Sequence, residues 1–144
     1  MRKKPIIIVE QWFNKPNDEV WSAITDHKQM TCWFFENIPA FEPVVGFETA
    51  FDVTSKNRIF RHLWRIEKVQ VGKMIQYNWQ YLDIEGVGYV TFELTEIDSK
   101  TRLRVTNSGL ETFPDDIPEF SQESCRGGWE YFINERLQHY LSSK

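Results

Sequence analysis

The sequence predicts an α+β fold in which a curved antiparallel sheet lies against one long carboxy-terminal helix. Three observations predict it. Near the end of the chain, Cys125, Gly128, Trp129, Phe132, Ile133, Arg136, Leu137, Tyr140 and Leu141 share one face at helical spacing. Between Phe41 and Val105 the apolar period changes to two. The breaks between those alternating runs are short, and short connections join antiparallel neighbours because parallel pairing needs long crossovers.

Taken in order, Ile6 to Val9 followed by Gln11, Trp12 and Phe13 form the first expected strand, rich in β-branched and aromatic side chains. Asn14, Lys15 and Pro16 end it. Pro16 opens a short helix with Asp18 and Glu19 in its first turn, where negative charge favours the positive end of the dipole. Val20, Trp21, Ala23 and Ile24 give that helix its buried side. Asp26 with Gln29 makes a capping box for a second short helix, followed by Met30, Trp33 and Phe34 at helical spacing.

Five alternating runs come next, centred on Phe47 to Val53, Phe60 to Ile66, Ile75 to Tyr81, Val90 to Leu94 and Leu103 to Val105. Ser55-Lys56-Asn57, Val71-Gly72-Lys73, Asp83-Ile84-Glu85-Gly86 and Asp98-Ser99-Lys100 are credible turns between them. One clean alternation per strand leaves one face apolar and the other wet. The apolar face needs a cover, and the final helix is the long element available. That helix is expected from Asp116 to Leu141, with Asp116 as cap, Pro118 in the first turn and Glu119 completing a capping box. Leu110 to Asp115 reads as the connection leading to it.

The totals set limits on function. A chain of 144 residues with 41% hydrophobic and 26% charged residues is expected to fold as a single domain, 1–144. Lys plus Arg number 17 against 21 Asp plus Glu, a net charge of −4, which argues against a nucleic-acid partner. Arg2, Lys3 and Lys4 are too few and too terminal to change this. The run from Pro5 to Val9 is too short for a membrane span and meets Glu10 at once, so no signal peptide or membrane insertion is expected, and a cytoplasmic location is. Cys32 and Cys125 lie far apart, without metal-ligand spacing. Two buried thiols is the plainer expectation and a single disulfide the alternative.

Signatures of catalysis are mostly missing. Gly86-Val87-Gly88 lacks the third glycine and the helix of a dinucleotide site. His27, His62 and His139 fall on different elements, so no metal is expected, nor any other cofactor. Ser108 and Ser124 carry no sign of activation by a base. Aromatic residues make up 15% of the chain. Trp33, Phe34, Phe51, Phe60, Trp64, Tyr77, Trp79 and Phe92 are candidates for the inner surface of the sheet. Large rings with a few polar tips line small-molecule pockets, but they also pack against one another and leave no space, and both readings stand. His62, Tyr77 and Asn107 put polar groups on an apolar register, and each needs a partner in the protein, a water or a ligand. Gly127-Gly128 costs helix stability. Close packing of the helix on the sheet is the expected reason, and approach of a ligand the alternative.

Three segments then carry a resemblance. These are Phe13-x-x-Pro16-x-x-x-Val20-Trp21-x-Ala23-Ile24-Thr25-Asp26, Thr101-x-Leu103-x-Val105-Thr106-Asn107-Ser108-Gly109-Leu110, and Gly128-Trp129 ahead of Leu137 and Tyr140-Leu141. Together they resemble the START-like superfamily, and within it the branch named after the carboxyl-terminal domain of the heat-shock-protein-90 ATPase activator. The resemblance implies a helix-grip fold: a curved sheet gripping the terminal helix, two short helices at one end, and a cavity between. Where this chain has Asn107 that branch often has histidine. Family relatives bind lipids, hormones or polyketides, some catalyse cyclisation or hydrolysis, and a few are cochaperones.

The resulting expectation is a protein that binds a small, mostly apolar molecule, lipid-like or aromatic, between sheet and final helix. Trp33, Phe34, His62, Trp64, Tyr77, Trp79, Asn107, Cys125 and Trp129 form the expected binding set, with His62, Tyr77 and Asn107 orienting a polar end. No catalytic residue is assigned. Two alternatives are a cochaperone that stimulates a chaperone's ATPase and a cyclase or hydrolase using the same cavity.

Overall fold

The computed structural model describes residues 6–144, so Arg2, Lys3, Lys4 and Pro5 lie outside the described residues. Side chains that alternate between branched or aromatic and polar suit a half-buried pleated surface. Six such runs form strands: β1 (Ile7–Phe13), β2 (Glu48–Ser55), β3 (Arg58–Gln70), β4 (Met74–Tyr81), β5 (Ile84–Ile97) and β6 (Lys100–Ser108). They build one antiparallel sheet in the order β1-β6-β5-β4-β3-β2. Strands β2 to β6 are a meander, and β1 closes the far edge by pairing Val9 with Val105 and Gln11 with Leu103. At the β5–β6 turn Asp98 and Ser99 both take positive φ, the geometry that matches the twist of a two-residue hairpin.

Regular pairing is interrupted at two places. The β3–β4 register shifts between Ile66 and Lys68, and irregularities of this kind bend the strands. Between β4 and β5 the pairing jumps from Trp79–Gly88 to Tyr81–Ile84, so Glu85, Gly86 and Val87 stand opposite Gln80 alone.

Helices α1 (Asn17–Thr25) and α2 (His27–Trp33) follow β1 as the spacing predicts. Asp26 Oδ2 accepts from the Gln29 N–H at 3.2 Å, which is half of the expected box. The other half is absent because the Gln29 side chain accepts a hydrogen bond from the Tyr140 hydroxyl at 3.0 Å instead. That contact ties α2 to the end of the chain.

The final helix starts later than the sequence suggests. It runs from α3 (Gln122–Trp129) through a π-helical stretch (Glu130–Leu137) into α4 (Gln138–Ser142), 21 residues in all. Its cap is Ser121, whose hydroxyl accepts from the Ser124 N–H at 3.1 Å, and not Asp116. Pro118 opens a separate 3-10 turn (Pro118–Phe120). The chain turns extended at Ser121, with ψ of 153°, and the turn before it buries Ile117 and sets Phe120 against Phe60 and Tyr81 of the sheet.

Within the helix, Trp129, Ile133, Leu137 and Leu141 are the buried positions, four residues apart. At 3.6 residues per turn, a spacing of four drifts about 40° per step. The wider π turn rotates less per residue and takes up that drift, so the four side chains keep to one face. Two side chains complete the grip. Arg126 donates to the Ile8 carbonyl at 3.3 Å, and Asn134 donates to the Glu10 carbonyl at 3.0 Å, which covers the open edge of β1. The assembly is the helix-grip α+β fold.

Candidate ligand cavity

The concave face of the sheet is divided in two. At the end carrying α2 the rings fill the space. Phe34 stacks on Trp33 at a centroid distance of 4.7 Å, lies 5.4 Å from Trp64, and meets Phe132 edge-on at 4.9 Å. Tyr77 packs against Trp64 at 4.9 Å and Phe92 at 5.4 Å. Aromatic pairs at such distances add favourable edge and face contacts to the area they bury. This region is solid core.

At the other end, beneath α3, a cavity of about 260 Å³ remains. Its floor comes from β2 to β4, through Val53, Phe60, His62, Trp79 and Tyr81. One wall is the final helix, through Cys125, Gly128, Trp129 and Phe132, with Phe35 beside it and Asn107 of β6 below. The rim is the segment between β6 and the helix, from which Leu110, Phe113 and Phe120 face inward.

That rim is clamped at two points. The Thr112 hydroxyl accepts from the Val87 N–H at 2.8 Å, and Ser55 donates to Glu119 Oε2 at 2.8 Å. Phe113 seats on β5 because Gly86 and Gly88 leave room for it: a Cβ at Gly86 would stand 2.5 Å from the Phe113 ring. The glycines that fail as a dinucleotide motif serve as a ring seat, where β5 departs from β4.

Of the nine residues expected to bind a ligand, His62, Trp79, Asn107, Cys125 and Trp129 are brought together around the cavity. Trp33, Phe34, Trp64 and Tyr77 lie in the filled half, outside the lining. Sequence reasoning missed Phe35, Tyr81 and the rim. The rim's signal was present in Leu110, Phe113, Ile117 and Phe120, four apolar residues in a segment read as a connection.

The polar groups have separate fates. Asn107 spends its amide inside the protein: Oδ1 accepts from Trp129 Nε1 at 3.1 Å, and Nδ2 donates to the Tyr89 carbonyl at 3.3 Å. Trp79 Nε1 donates to the Tyr81 hydroxyl at 2.9 Å. The Tyr77 hydroxyl and Trp64 Nε1 are sealed in the core with no partner among the described residues. Tyr77 therefore cannot orient a ligand in this cavity, contrary to expectation.

His62 differs from all of these. Its Nδ1 lies 3.1 Å from the Phe60 carbonyl, and a carbonyl only accepts, so Nδ1 carries the proton. Nε2 then holds a lone pair and has no partner among the described residues, yet it is not one of the sealed polar atoms. His62 is one of the residues that line the cavity. Burial pushes the ring's pKa down to about 4, against small opposing effects of the Phe60 carbonyl and the Asp52 charge, so the ring is neutral at pH 7. Burial likewise raises the Tyr81 phenol, which stays protonated. Glu119, half-buried at the rim, is held below the usual carboxylate range first by the Ser55 hydroxyl and is ionised.

Two other expectations change. Gly127 and Gly128 do not press on the sheet, for a Cβ at either would meet nothing within 4 Å. Gly128 borders the cavity instead. Cys32 is exposed and Cys125 half-buried, and neither is in a disulfide. No group of three or more His, Cys, Asp or Glu able to hold a metal occurs among the described residues, and no helix there is long and apolar enough to cross a membrane.

The family model described as activator of Hsp90 ATPase homolog 1-like protein matches residues 14–142. No curated protein matches the chain. Among solved structures, DynU16, a protein of the dynemicin biosynthetic locus, is 24% identical with a TM-score of 0.78 over 97% of this chain, which spans 48% of DynU16. Protein BH1534 of Bacillus halodurans is 23% identical with a TM-score of 0.76, over 98% of this chain and 99% of that one. The Aha1 dimer of Colwellia psychrerythraea is 15% identical with a TM-score of 0.73, over 96% of each chain. At these identities the structures share the fold.

Proposed function

The chain belongs to the activator of Hsp90 ATPase homolog 1-like family, and from that footing we propose that it binds a small, mostly apolar molecule in the cavity under α3. One observation carries this reading. The concave face is packed solid around Phe34 yet keeps about 260 Å³ open beneath the helix, walled by rings and bordered by a glycine. The space is partly open to solvent, and the rings around it leave apolar surface that a ligand would cover. A pocket of this kind, mostly apolar with a few converging polar groups, suits a small organic ligand. Small hydrophobic ligands are common for the fold.

Native mass spectrometry of gently purified protein, with a thermal-shift screen of lipids and small aromatics, tests the reading. A bound mass, or stabilisation that grows with ligand concentration, is the expected result. Neither in any preparation would end it.

The family description and an exposed patch favour a second reading, docking to a chaperone. Ile8 and Trp12 are both exposed on the outer face of β1, beside the charged pair Arg104–Glu10. Stimulation of an Hsp90-type ATPase that is lost in Trp12→Ala would support docking, and no stimulation by the native chain would remove it.

A further inference from the structure

The reading of the cavity as a binding site leaves open which chemistry it takes, and its polar inventory narrows that choice. The residues that line it include no Lys or Arg. A carboxylate entering would lose its hydration without a counterion, and the ionised Glu119 at the rim would oppose it. Acids such as free fatty acids are therefore a poor match.

Most of the polar atoms lining the space are already used. Both ends of the Asn107 amide and the Trp79 N–H are bonded within the protein. Two groups on the floor remain available. His62 Nε2 is a lone pair without a donor. The Tyr81 oxygen accepts from Trp79, but its own O–H has no acceptor among the described residues. These residues are direct partners across β3 and β4, and their rings lie edge to face with centroids 4.8 Å apart. No hydrogen bond joins them. One unmatched acceptor and one unmatched donor thus belong to two rings in contact, both lining the cavity.

We propose that the cavity selects an uncharged aromatic molecule bearing a hydroxyl group, whose O–H donates to His62 Nε2 while its oxygen accepts from the Tyr81 hydroxyl. A hydroxyl is the smallest group that donates and accepts through one atom, which is what adjacent unmatched partners require. A hydrocarbon of the same shape leaves both unmatched, and buried polar groups left so carry a desolvation cost. A ketone satisfies Tyr81 only. The walls of phenyl and indole suit a flat ring better than a flexible chain, which would lose more rotational freedom on entry. Water can serve the same pair, so the hydroxyl's advantage over a hydrocarbon is bounded at about tenfold, the scale of one net hydrogen bond. His62 is a specificity-determining residue in this scheme.

This inference rests on the cavity being a binding site, and the test separates the two. Equilibrium dialysis of the native chain at neutral pH against 1-naphthol, naphthalene and 1-naphthoate compares three molecules of one shape. Naphthol is expected to bind about tenfold tighter than naphthalene, and naphthoate more weakly than naphthol by at least as much. His62→Phe should erase the naphthol advantage while naphthalene still binds, which also reports an intact cavity, and Tyr81→Phe should reduce it. Equal binding of naphthol and naphthalene by the native chain overturns the selection and leaves the cavity reading standing. So does a preference for naphthoate, or an advantage that survives in both variants. No binding of any of the three overturns both. The comparison within the native chain decides the matter even if a variant misfolds.

Discussion

A neutral histidine held in an apolar wall should make the fold sensitive to mild acid, and the size of the effect comes from its surroundings. Phe51 stacks on the His62 ring at 5.1 Å, Tyr81 meets it edge-on at 4.8 Å, and Phe35 and Trp79 flank it at 5.3 Å and 5.5 Å. In the unfolded chain the imidazole titrates near its ordinary value of 6.5, and in the folded protein near about 4. Above about pH 6.5 both states hold a neutral ring, and His62 contributes no pH dependence. As pH falls through that value, the unfolded chain gains a proton that the folded chain refuses. Stability should then drop by about 1.4 kcal/mol at about pH 5.5 and about 2.5 kcal/mol at about pH 4.5, relative to neutral pH. The loss stops near the folded value, where the native ring itself takes up the proton.

Urea denaturation of the native chain and of His62→Phe, in steps from about pH 7.5 to about pH 4.5, measures this. Asp52 couples to the ring and acts mainly at the acid end, so over most of the range the difference between the two curves reports the ring. Glu10, Asp52 and Glu119 have carboxyls lowered by Arg104, Arg61 and Ser55 respectively, and they act below the ordinary carboxylate range, outside most of the window. The expected outcome is a gap that shifts in favour of the variant by about 2.5 kcal/mol across the range. Parallel curves would refute the account, because they would mean that the ring is solvated or holds a charge partner in the folded state.

The same geometry sets three further outcomes. Tyr77→Phe removes a sealed hydroxyl with no partner among the described residues, so stability should rise by about 1 kcal/mol in urea melts; a loss of that size would reveal a hidden partner. Gly86→Ala should cost about 3 kcal/mol or more, since its φ of 114° and the Phe113 ring both exclude a Cβ; a near-neutral melt would show that the rim lifts easily. Gly128→Ala should stabilise by up to about 1 kcal/mol because a methyl there meets open space, while Gly128→Leu should weaken naphthalene binding in dialysis by about tenfold; unchanged binding would place the ligand elsewhere.

The layout of sheet and helix was legible because it rests on periodicity, which one strand or one helix displays alone. Period two over β3 to β6 and the four-residue spacing of Trp129, Ile133, Leu137 and Leu141 state which face is buried. The helix start was not legible. Asp116, Pro118 and Glu119 form a good local cap, yet the chain turns extended at Ser121, and the contacts of Phe120 with Phe60 and Tyr81 are tertiary ones that the local pattern does not display. Sequence alternation also placed Tyr77, Trp64, His62 and Trp79 on the same inward face without saying how far along the trough each one stands. Position along the trough decides whether a ring is enclosed, as Trp64 and Tyr77 are, or also borders open space, as Trp79 does, and it depends on where α2 ends and where the final helix begins. Neither is a property of the strand that carries the ring.

The hollow is best understood from what holds it open. Phe34 fills one end of the trough, and the helix passes over the other end with Gly128 where a side chain would otherwise descend. Glycine at that position costs roughly 1 kcal/mol against alanine, and no packing contact repays it, since nothing lies within van der Waals reach. The rim offers the same pattern: Phe113 could drop into the space but is seated on Gly86 and Gly88, while Ser55 and Thr112 fix the segment on either side. Helix and rim both forgo filling the same volume, and each does so by its own local device. A void left by imperfect packing would require only one such lapse. Two coincident ones, around a buried histidine whose second nitrogen has no partner among the described residues, are the arrangement that a bound molecule would complete.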